Sequence, residues 1–415
     1  MVAVPALVDL DVESPTLPRL LAGLTDNLAE HRRQYPAPPL SARPRGDITT
    51  AVERSGLRGR GGAGFPTSRK LQAVAERAKG KPVVVVNGSE GEPASSKDAV
   101  LLTKHPHLVL DGALLAAAAV GARDVVVAID CNATRALRSV SVAIAERTRT
   151  EPSSRIVRVA AIPHRFVAGE ETALVNWLNG GEAKPTLTPP RPFEAGVDGR
   201  PTLVDNVETL AHLAQIVRWG PEWFREQGTD AEPGTMLVTI TGAVEQVGVH
   251  EVPIGARLST VIRNAGGSLS RARAVLVGGY FGAWLSTDQA RRTRLCDEDL
   301  RPFGAGVGCG VIVVLPKDAC GLKETARILG WYANESAGQC GSCVHGLAAI
   351  AGGAADLFHG DDAVDRLIRW AGQVEGRGAC QLPNGAARLL RSGLVVFADE
   401  IERHRSGQSC TELDA

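Results

Sequence analysis

Short apolar runs separated by helical stretches are the feature that most restricts how this chain can fold. Residues 83–86 are four consecutive valines closed by Asn87-Gly88, and residues 124–130 contain a second apolar run. Strands that are buried on both faces have unbroken apolar runs of this kind. A third strand is predicted at 156–162, with helices between the strands. This alternation predicts an α/β domain with a mostly parallel sheet.

The patterns change twice further along the chain, and they predict three domains after an N-terminal arm. The arm, residues 1–47, is rich in proline and arginine and has one predicted helix at 18–33. The α/β domain spans 48–231. Short strands around one helix predict a small β-grasp domain over 232–318, and residues 319–415 are predicted to be helical. The helices predicted in this last domain are 321–333, 343–351, 362–374 and 385–406.

Charge and composition exclude several classes of protein. Lys plus Arg and Asp plus Glu both number 46, so the formal net charge is zero. Nucleic acids and anionic membranes recruit clustered positive charge, so neither is expected as a partner. No apolar stretch approaches the roughly 18–20 residues of a membrane-spanning helix, and no signal peptide is expected. We therefore expect a cytoplasmic protein, in which clustered cysteines indicate metal or redox chemistry.

A glycine-rich segment precedes the first predicted strand. Residues 56–66 read Gly-Leu-Arg-Gly-Arg-Gly-Gly-Ala-Gly-Phe-Pro and contain a G-x-G-x-x-G pattern. Glycines let backbone N–H groups approach a phosphate closely. The dinucleotide fingerprint follows a strand, whereas residues 48–56 are predicted to be helical, so an ordinary NAD-binding loop is not expected. Because Arg58, Arg60 and Lys70 add positive charge, a phosphate site is favoured over a purely structural turn.

Three polar segments accompany the predicted sheet. Residues 87–93 and 169–172 each follow a predicted strand and carry pairs of glutamates, and residues 205–209 read Asp-Asn-Val-Glu-Thr. Each segment alone is typical of a solvated turn. Ligands of open α/β sheets bind outside the carboxyl ends of the strands. Three such segments in one domain therefore indicate the rim of a single pocket.

A small group of cysteines lies in the helical region. Cys340 and Cys343 form a C-x-x-C pair, and Cys380 follows 37 positions later. A dithiol redox pair is one interpretation, although the pair does not follow a βαβ pattern. Zinc and an iron–sulfur cluster are two others, and each normally takes four ligands where three are evident. A chance C-x-x-C pair is the fourth interpretation, and the residues themselves leave all four open.

In this order, the motifs resemble the NADH-binding flavoprotein subunit of respiratory complex I and its relatives in NAD-linked hydrogenases and formate dehydrogenases. The resemblance covers about residues 50–405. The segments that carry it are 56–67, 87–93 with Lys97-Asp98, 169–174, 205–210 and 335–343 with Cys380.

The resemblance implies an FMN-binding α/β domain, an SLBB-like β-grasp domain and a helical domain with a 4Fe-4S cluster. It implies a NADH dehydrogenase-type oxidoreductase in which NADH or NADPH gives a hydride to FMN. Electrons are then expected to pass through the cluster to ferredoxin or another electron-transfer subunit. Attachment to the periphery of a membrane complex is a further option. The implied cofactor-binding residues are Gly59, Arg60, Gly61, Gly62, Ala63, Phe65, Lys70, Asn87, Ser89, Glu90, Phe166, Asp205 and Asn206. The implied catalytic residues are Glu92, Glu170 and Glu171, and the cluster ligands are Cys340, Cys343 and Cys380.

Several positions depart from the family pattern at the flavin. Ser89 stands where the family has Asp, and Asp205 replaces the first Asn of its pair. Phe166 replaces a Tyr and so loses one hydroxyl. The change at Asp205 is expected to place a negative charge near the flavin and to alter its potential or its phosphate contacts.

Other departures affect the cluster and the dinucleotide. Ala337 stands where the family has the first cluster cysteine, which leaves a different fourth ligand, a 3Fe-4S cluster or no cluster as alternatives. Arg191 stands where a family Phe stacks on adenine, and Thr188 replaces a Lys. NADH, NADPH and no dinucleotide therefore all stay open. Two other functions compete with the enzyme: a degenerate scaffold subunit without hydride chemistry, and a flavin–cluster relay reduced by a protein partner.

Overall fold

The computed structural model describes residues 19–36 and 45–408. A four-stranded parallel sheet forms the centre of the first domain, in the order β3-β2-β1-β4. Its strands are β1 (Val83–Gly88), β2 (Val125–Asp130), β3 (Val157–Ile162) and β4 (Thr202–Asn206). The parallel α/β fold and its first three strands are confirmed. β4 was not predicted, because a five-residue segment ending in Asp-Asn lacks the long apolar run of the others.

Both faces of this sheet are buried. Alternate residues of β1 point to opposite sides, so that Val84 and Val86 join one apolar cluster while Val83 and Val85 join another. The helices of this region are α1 (Leu28–Gln34), α2 (Arg45–Ser55), α3 (Thr67–Ala75), α4 (Lys97–Lys104), α5 (Pro106–Val120), α6 (Thr134–Thr150), α7 (Glu171–Leu178), α8 (Val207–Trp219) and α9 (Pro221–Arg225). Helices α5 and α8 touch so closely that a Cβ at Gly112 would lie 1.9 Å from the carbonyl oxygen of Leu210.

The strand order creates a switch point between β1 and β4. From β1 the chain passes to β2 and then β3 on one side, and β4 pairs with the other side of β1. Asn87 and Asn206 are level with each other at the carboxyl ends of these two strands. A crevice at this position is where open α/β sheets bind their ligands.

Residues 19–36, the first that the structure describes, pack against the core. The predicted helix at 18–33 is wrong over most of its length, since the described helix there is α1, and Pro18 lies outside the described residues. The backbone N–H groups of Arg19, Leu20 and Leu21 all donate to one carboxylate oxygen of Glu251, at 2.7 to 3.1 Å. The buried carboxylate of Glu251 therefore helps to hold residues 19–21 against the core.

A mixed five-stranded sheet follows, in the order β6-β5-β9-β7-β8. The strands are β5 (Thr235–Gly242), β6 (Gly248–Pro253), β7 (Ala272–Val277), β8 (Ala283–Ser286) and β9 (Val311–Pro316), and the helices are α10 (Leu258–Asn264), α11 (Thr287–Arg292) and α12 (Asp297–Leu300). β5 and β9 are parallel neighbours, and α10 packs on the sheet as the β-grasp prediction expects. The short strand β8 was not predicted, and the SLBB-like assignment stays a prediction.

The remaining residues form helices, as predicted. They are α13 (Gly321–Asn334), α14 (Ala348–Phe358), α15 (Val364–Val374), α16 (Leu382–Val396) and α17 (Ala398–Arg405). The predicted helix at 385–406 is two helices that break at Phe397, whose ring packs on Trp284 with centroids 5.2 Å apart. A wider π-helical turn, Ser342–Leu347, precedes α14. Among the described residues, no helix has both the length and the apolar composition that a membrane span requires.

Candidate functional site

The glycine-rich segment forms a closed loop between two helices. Arg58 pairs with Pro66, and the N–H of Gly59 donates to the carbonyl of Phe65 at 2.8 Å. Gly62 has φ +107°, a backbone conformation that residues with a Cβ rarely adopt. The tip of this glycine loop, Gly61 to Ala63, is exposed, and Phe65 is 46% exposed. The loop follows α2, so the helix predicted before it at residues 48–56 is confirmed.

The glycine loop packs against the beginning of α8. A Cβ at Gly61 would lie 3.4 Å from the Cβ of Asn206, which is the N-cap of that helix. Lys70, on the helix after the loop, donates to the carbonyl of Val204 at 3.0 Å. Backbone N–H groups, a helix N-terminus and an ammonium group together favour an anion.

Arg60 is placed differently from the other cations of the loop. Its guanidinium is buried and donates to the carbonyl oxygens of Pro233 and Thr235 at 3.4 and 3.1 Å. Burial lowers its pKa. A small cavity of about 30 Å³ lies between the glycine loop and the mixed sheet, with Arg58, Glu232 and Asp297 in its walls. Arg60 therefore holds the two domains together through carbonyl groups, and its backbone is the part that belongs to the loop.

The loop after β1 is joined to the loop after β3. The side-chain amide of Asn87 donates to the carbonyl of Gly169 at 2.8 Å, while its oxygen accepts the N–H of Ser89. A Cβ at Gly91 would lie 3.0 Å from the Cα and carbonyl oxygen of Phe166. The structure therefore brings together two of the three polar segments that the sequence singled out.

Glu90 is a helix cap. Its carboxylate accepts N–H groups from Asp98 and Ala99 at 3.0 and 2.9 Å and the hydroxyl of Ser95 at 2.6 Å. Burial and the neighbouring Asp98 raise the pKa of Glu90 to about 6. The observed contacts of Glu90 thus hold the start of α4.

Glu92 reaches the mixed sheet instead of the crevice. Its Oε2 accepts the backbone N–H of Tyr280 at 3.0 Å, and burial raises its pKa to about 7. Glu170 is the N-cap of α7 and accepts the N–H groups of Thr172 and Ala173, both at 3.0 Å. Glu171 begins the same helix and is partly exposed. The three predicted catalytic glutamates therefore lie around one region, but two of them are engaged by the backbone.

A buried ionic network underlies the site, and the predicted residues did not include most of it. The ammonium of Lys97 lies 2.9 Å from both Asp98 and Glu208 and 3.2 Å from the side-chain oxygen of Asn206. The amide of Asn206 donates to Asp98 at 2.7 Å. Burial opposes ionisation of Glu208, but the charge of Lys97 outweighs it and holds the pKa at about 2. The adjacent pair Lys97-Asp98 was the sequence signal for this network. Its contacts with Asn206 and Glu208 could not be predicted, because those residues are distant in the chain.

Aromatic rings fill the space between the loop after β3 and the helical domain. Phe166 stacks on Phe281 with centroids 4.7 Å apart and meets Trp331 edge-on at 5.3 Å. The backbone N–H of Phe166 donates to Glu335 at 2.9 Å, and Arg165 donates to the carbonyl of Ser336 at 3.0 Å. The segment that carries Cys340 and Cys343 is therefore fixed directly against the loop after β3.

The three predicted cysteine ligands lie near one another. Burial raises the pKa of Cys343 to about 11, with the charge of Cys340 adding to the effect, while Ser336 and the Ala337 N–H oppose it by donating hydrogen bonds. Burial also raises the pKa of Cys380, and the nearby Glu170 carboxylate contributes. Burial acts against the Cys340 thiolate as well, but N–H groups including that of Ala379 outweigh it, so its pKa is lowered.

These residues do not complete a four-thiolate cluster. Ala337 is buried beside Cys343 and offers no donor atom. Within residues 19–36 and 45–408, no three His, Cys, Asp or Glu side chains are already placed to hold one metal ion. Three thiols fit an incomplete iron–sulfur site better than a full one.

The crevice residues fit a flavin better than the three cysteines fit a four-thiolate cluster. The glycine loop exposes its backbone at Gly61 to Ala63, and Gly62 and Gly64 have positive φ values that favour glycine. Asn87 and Asn206 carry amides at the strand ends, and Lys70 supplies a cation. Asp205 is the exception: its Oδ2 is buried without a hydrogen-bond partner among the described residues.

The structure combines a crevice at the switch point of the sheet, a glycine loop suited to a phosphate, and a neighbouring segment with Cys340 and Cys343. Together these features are typical of the class of flavin- and iron–sulfur-binding electron-transfer proteins. Residues 52–215 match the Nuo51 FMN-binding domain, and residues 323–404 match the NADH-ubiquinone oxidoreductase-F iron-sulfur binding region. The chain is 33% identical over 384 residues to the second NADH-quinone oxidoreductase F subunit of Rhizobium meliloti, in a match that covers 88% of this chain and 90% of the relative. It is 31% identical over 378 residues to the NADH-quinone oxidoreductase F subunit of Streptomyces coelicolor, covering 88% and 84%.

Solved structures agree with this assignment. Two structures of an NAD+-reducing [NiFe]-hydrogenase, in the H2-reduced and air-oxidized states, superpose with TM-scores of 0.81 and 0.83 at 30% and 31% identity. They cover 91% and 93% of this chain, which spans 66% and 67% of the hydrogenase chain. The chain belongs to the family of NADH-quinone oxidoreductase F subunits, which are NADH dehydrogenase-type oxidoreductases with FMN-binding and 4Fe-4S-binding domains.

Proposed function

We propose that this chain takes a hydride from NADH or NADPH onto FMN held at the carboxyl ends of β1 and β4, and delivers the electrons to a ferredoxin or another electron-transfer subunit in the cytoplasm. The observation that carries this proposal is that the glycine loop, Lys70 and the beginning of α8 meet at the sheet's switch point. FMN supplies hydride acceptance and single-electron release when it is bound. The chain's own residues supply its placement.

Each side of the crevice has a separate part in that placement. The glycine loop and the N–H groups at the start of α8 would hold the phosphate end of the flavin. Asn87 and Ser89 offer an amide and a hydroxyl to the ribityl chain. Phe65 and Arg191 are exposed, and both offer a flat surface on which adenine can stack.

The glutamates divide into positioning and contact residues. Glu92 fixes the loop after β1 on Tyr280, and Glu170 fixes the start of α7. Among the described residues, no side chain or N–H group donates a hydrogen bond to Glu171, which leaves its carboxylate for the dinucleotide or the flavin. We assign Glu171 as the contact residue and the other two as positioning residues.

The electrons leave on the side of the cysteine segment. Arg165 and Phe166 donate hydrogen bonds to residues 335–336, and the charge of Glu170 helps to raise the pKa of Cys380. The crevice and the thiols are therefore adjacent. Because the three thiols do not complete a four-thiolate site, no electron-transfer step is assigned to a cluster. Unpaired thiols of this kind persist in a reducing compartment, which supports a cytoplasmic location.

A second candidate is a scaffold subunit without hydride chemistry. The observation in its favour is that Glu92 and Glu170 are engaged by the backbone, while Ala337 leaves the cysteine site incomplete. The same experiment separates the two candidates and also detects a relay that a protein partner reduces.

The test is an anaerobic visible spectrum of the full chain reconstituted with FMN, recorded before and after NADH and then NADPH are added. We expect flavin bands that bleach with one of the two nucleotides. A colourless protein would establish the scaffold, and a bound flavin that ignores both nucleotides would point to the relay. Lys70→Gln should weaken flavin retention, whereas Lys79→Gln, which removes an exposed lysine nine positions away, should not.

A further inference from the structure

An unpaired carboxylate lies where the site otherwise favours an anion. Asp205 is 3% exposed, and its Oδ1 accepts the N–H of Asn206 at 3.1 Å. Its Oδ2 has no hydrogen-bond partner among the described residues. The nearby ammonium of Lys70 donates to the carbonyl of Val204 instead. A buried oxygen of this kind requires a donor, since leaving it unpaired costs free energy.

The surroundings of this carboxylate form an anion site. Helix α8 has 13 residues, so its first N–H groups and its dipole favour negative charge in front of it. The glycine loop closes over the same end, because Gly61 lies against Asn206. Asp205 directly precedes the N-cap Asn206, and its Oδ1 accepts the Asn206 N–H, so the carboxylate lies at this same end of α8.

The charges around Asp205 do not neutralise it. Lys70 on α3 is the facing cation, and Glu171 on α7 is a second negative charge. From α4, Lys97 and Asp98 are bound to each other, and Lys97 also pairs with Glu208 on α8. Arg60 in the glycine loop is turned toward the carbonyls of residues 233 and 235. Without a bound phosphate, the ammonium of Lys70 therefore already faces two carboxylates, those of Asp205 and Glu171.

A phosphate monoester loses its second proton near pH 6, so FMN brings a dianion to this position. One added proton would relieve the repulsion between this dianion and the Asp205 carboxylate. A proton on Oδ2 removes one negative charge and turns the unpaired acceptor into a donor toward a phosphate oxygen.

We propose that Asp205 couples binding of the flavin's 5′-phosphate to the uptake of one proton from solvent, so that the preference for FMN over unphosphorylated riboflavin falls as the pH rises. This inference rests on the proposed function, because it requires the flavin to bind at the ends of β1 and β4. Burial raises the pKa of Asp205, with Glu171 adding to the effect and Lys70 opposing it, which is the direction that proton uptake needs. No bond between heavy atoms forms or breaks; Oδ2 binds one proton taken up from the buffered solvent, which offsets one negative charge of the complex.

The test compares the affinities of two flavins in the full-length apoprotein. Quenching of flavin fluorescence gives the Kd of FMN and of riboflavin between about pH 7 and pH 9, above the phosphate's own titration. The variants are Asp205→Asn, which keeps the shape of the side chain, and Asp47→Asn, which removes an exposed carboxylate elsewhere with the same change in net charge.

In the wild type and in Asp47→Asn we expect the Kd of FMN to rise about tenfold per pH unit, while that of riboflavin stays level. In Asp205→Asn the FMN profile should be level, and FMN should bind at least about tenfold tighter than in the wild type near pH 9. A level wild-type FMN profile, or equal slopes in wild type and Asp205→Asn, would overturn this inference while leaving flavin binding intact. Failure of both flavins to bind any of the three proteins would overturn the proposed function together with it.

Discussion

Glu92, in the loop that follows β1, accepts the backbone N–H of Tyr280 at 3.0 Å and thereby joins this loop to the turn between β7 and β8. The approach is close because residue 279 is a glycine: a Cβ there would lie 2.7 Å from the carboxyl carbon of Glu92. Burial raises the pKa of this carboxyl group to about 7. A contact between two domains therefore depends on a group that ionises near neutral pH.

Glu92→Gln should stabilise the protein at alkaline pH. Below about pH 4.5 the carboxyl group is protonated in the folded and the unfolded chain, and its contribution to the free energy of unfolding is fully present. As the pH rises toward 7 the unfolded chain loses the proton first, so this contribution is lost. The amide avoids that loss, and we expect a gain of about 1–3 kcal/mol at pH 8, most of which disappears near pH 5.

Urea denaturation of both proteins at the two pH values measures this difference. Glu53→Gln, an exposed position on α2, is the matched control and should change little at either pH. A variant that is less stable than the wild type at pH 8 would show that the ionised carboxylate is the favourable form in the Tyr280 contact.

The sequence predicted most of the sheet but not its ligand-binding edge. β1, β2 and β3 are apolar runs, and a run of buried valines has few alternatives to a central strand. β4 ends in Asp205-Asn206, and only its pairing with β1 makes it a strand. Since β4 creates the switch point, the position of the crevice could not be derived from periodicity alone.

The candidate site shows a similar division. The sequence identified Glu90 and Glu92 as carboxylates beyond a strand end. It could not show that Glu90 caps α4 or that Glu92 binds Tyr280, because the second partner is 188 positions away. Short-range motifs name the residues of a site, and long-range packing decides which of their atoms are still available to a ligand.

Lys97→Met should destabilise the protein severely. The ammonium lies between Asp98 and Glu208 and is 2% exposed, so its removal leaves two buried carboxylates without their counter-ion. Loss of one member of such a buried group costs about 3–5 kcal/mol. Thermal or urea unfolding measures the loss, and retained flavin reports whether the crevice survives.

A second variant separates loss of charge balance from loss of packing. Glu208→Gln combined with Lys97→Met removes one of the stranded charges while keeping the side-chain volume at position 208. We expect the double variant to regain at least part of the lost stability. Strictly additive losses would show that the ionic contacts are not coupled.

Acid should weaken the attachment of the N-terminal segment. His107 is buried, its Nδ1 accepts from Arg147 at 3.1 Å, and its Nε2 lies 3.0 Å from the carbonyl of Asp26. Burial and the charge of Arg147 lower the pKa of His107 to about 3. Its contribution to stability is therefore fully present above about pH 6.5 and is lost as the pH falls toward 3.

Hydrogen exchange of residues 19–36 at pH 7 and pH 5 tests this expectation, with exchange rates corrected for pH. We expect protection to fall at pH 5 in the wild type. His107→Gln should reduce that pH dependence, and His164→Gln, at a side chain 69% exposed, should leave it unchanged. Equal protection at both pH values in the wild type would contradict the expectation.

Ala337→Cys should raise the iron content of the reconstituted protein. The N–H of Ala337 donates to Cys343, and its side chain is buried beside that thiol, so a cysteine there adds a fourth sulfur to a group that has three. Iron–sulfur clusters with four irons are normally held by four thiolates. We expect more iron per chain than in the wild type, together with a four-iron signal in electron paramagnetic resonance of the reduced variant. Ser336→Cys is the neighbouring control, because its hydroxyl also reaches Cys343. If the control raises the iron content and Ala337→Cys does not, the fourth ligand position belongs to residue 336.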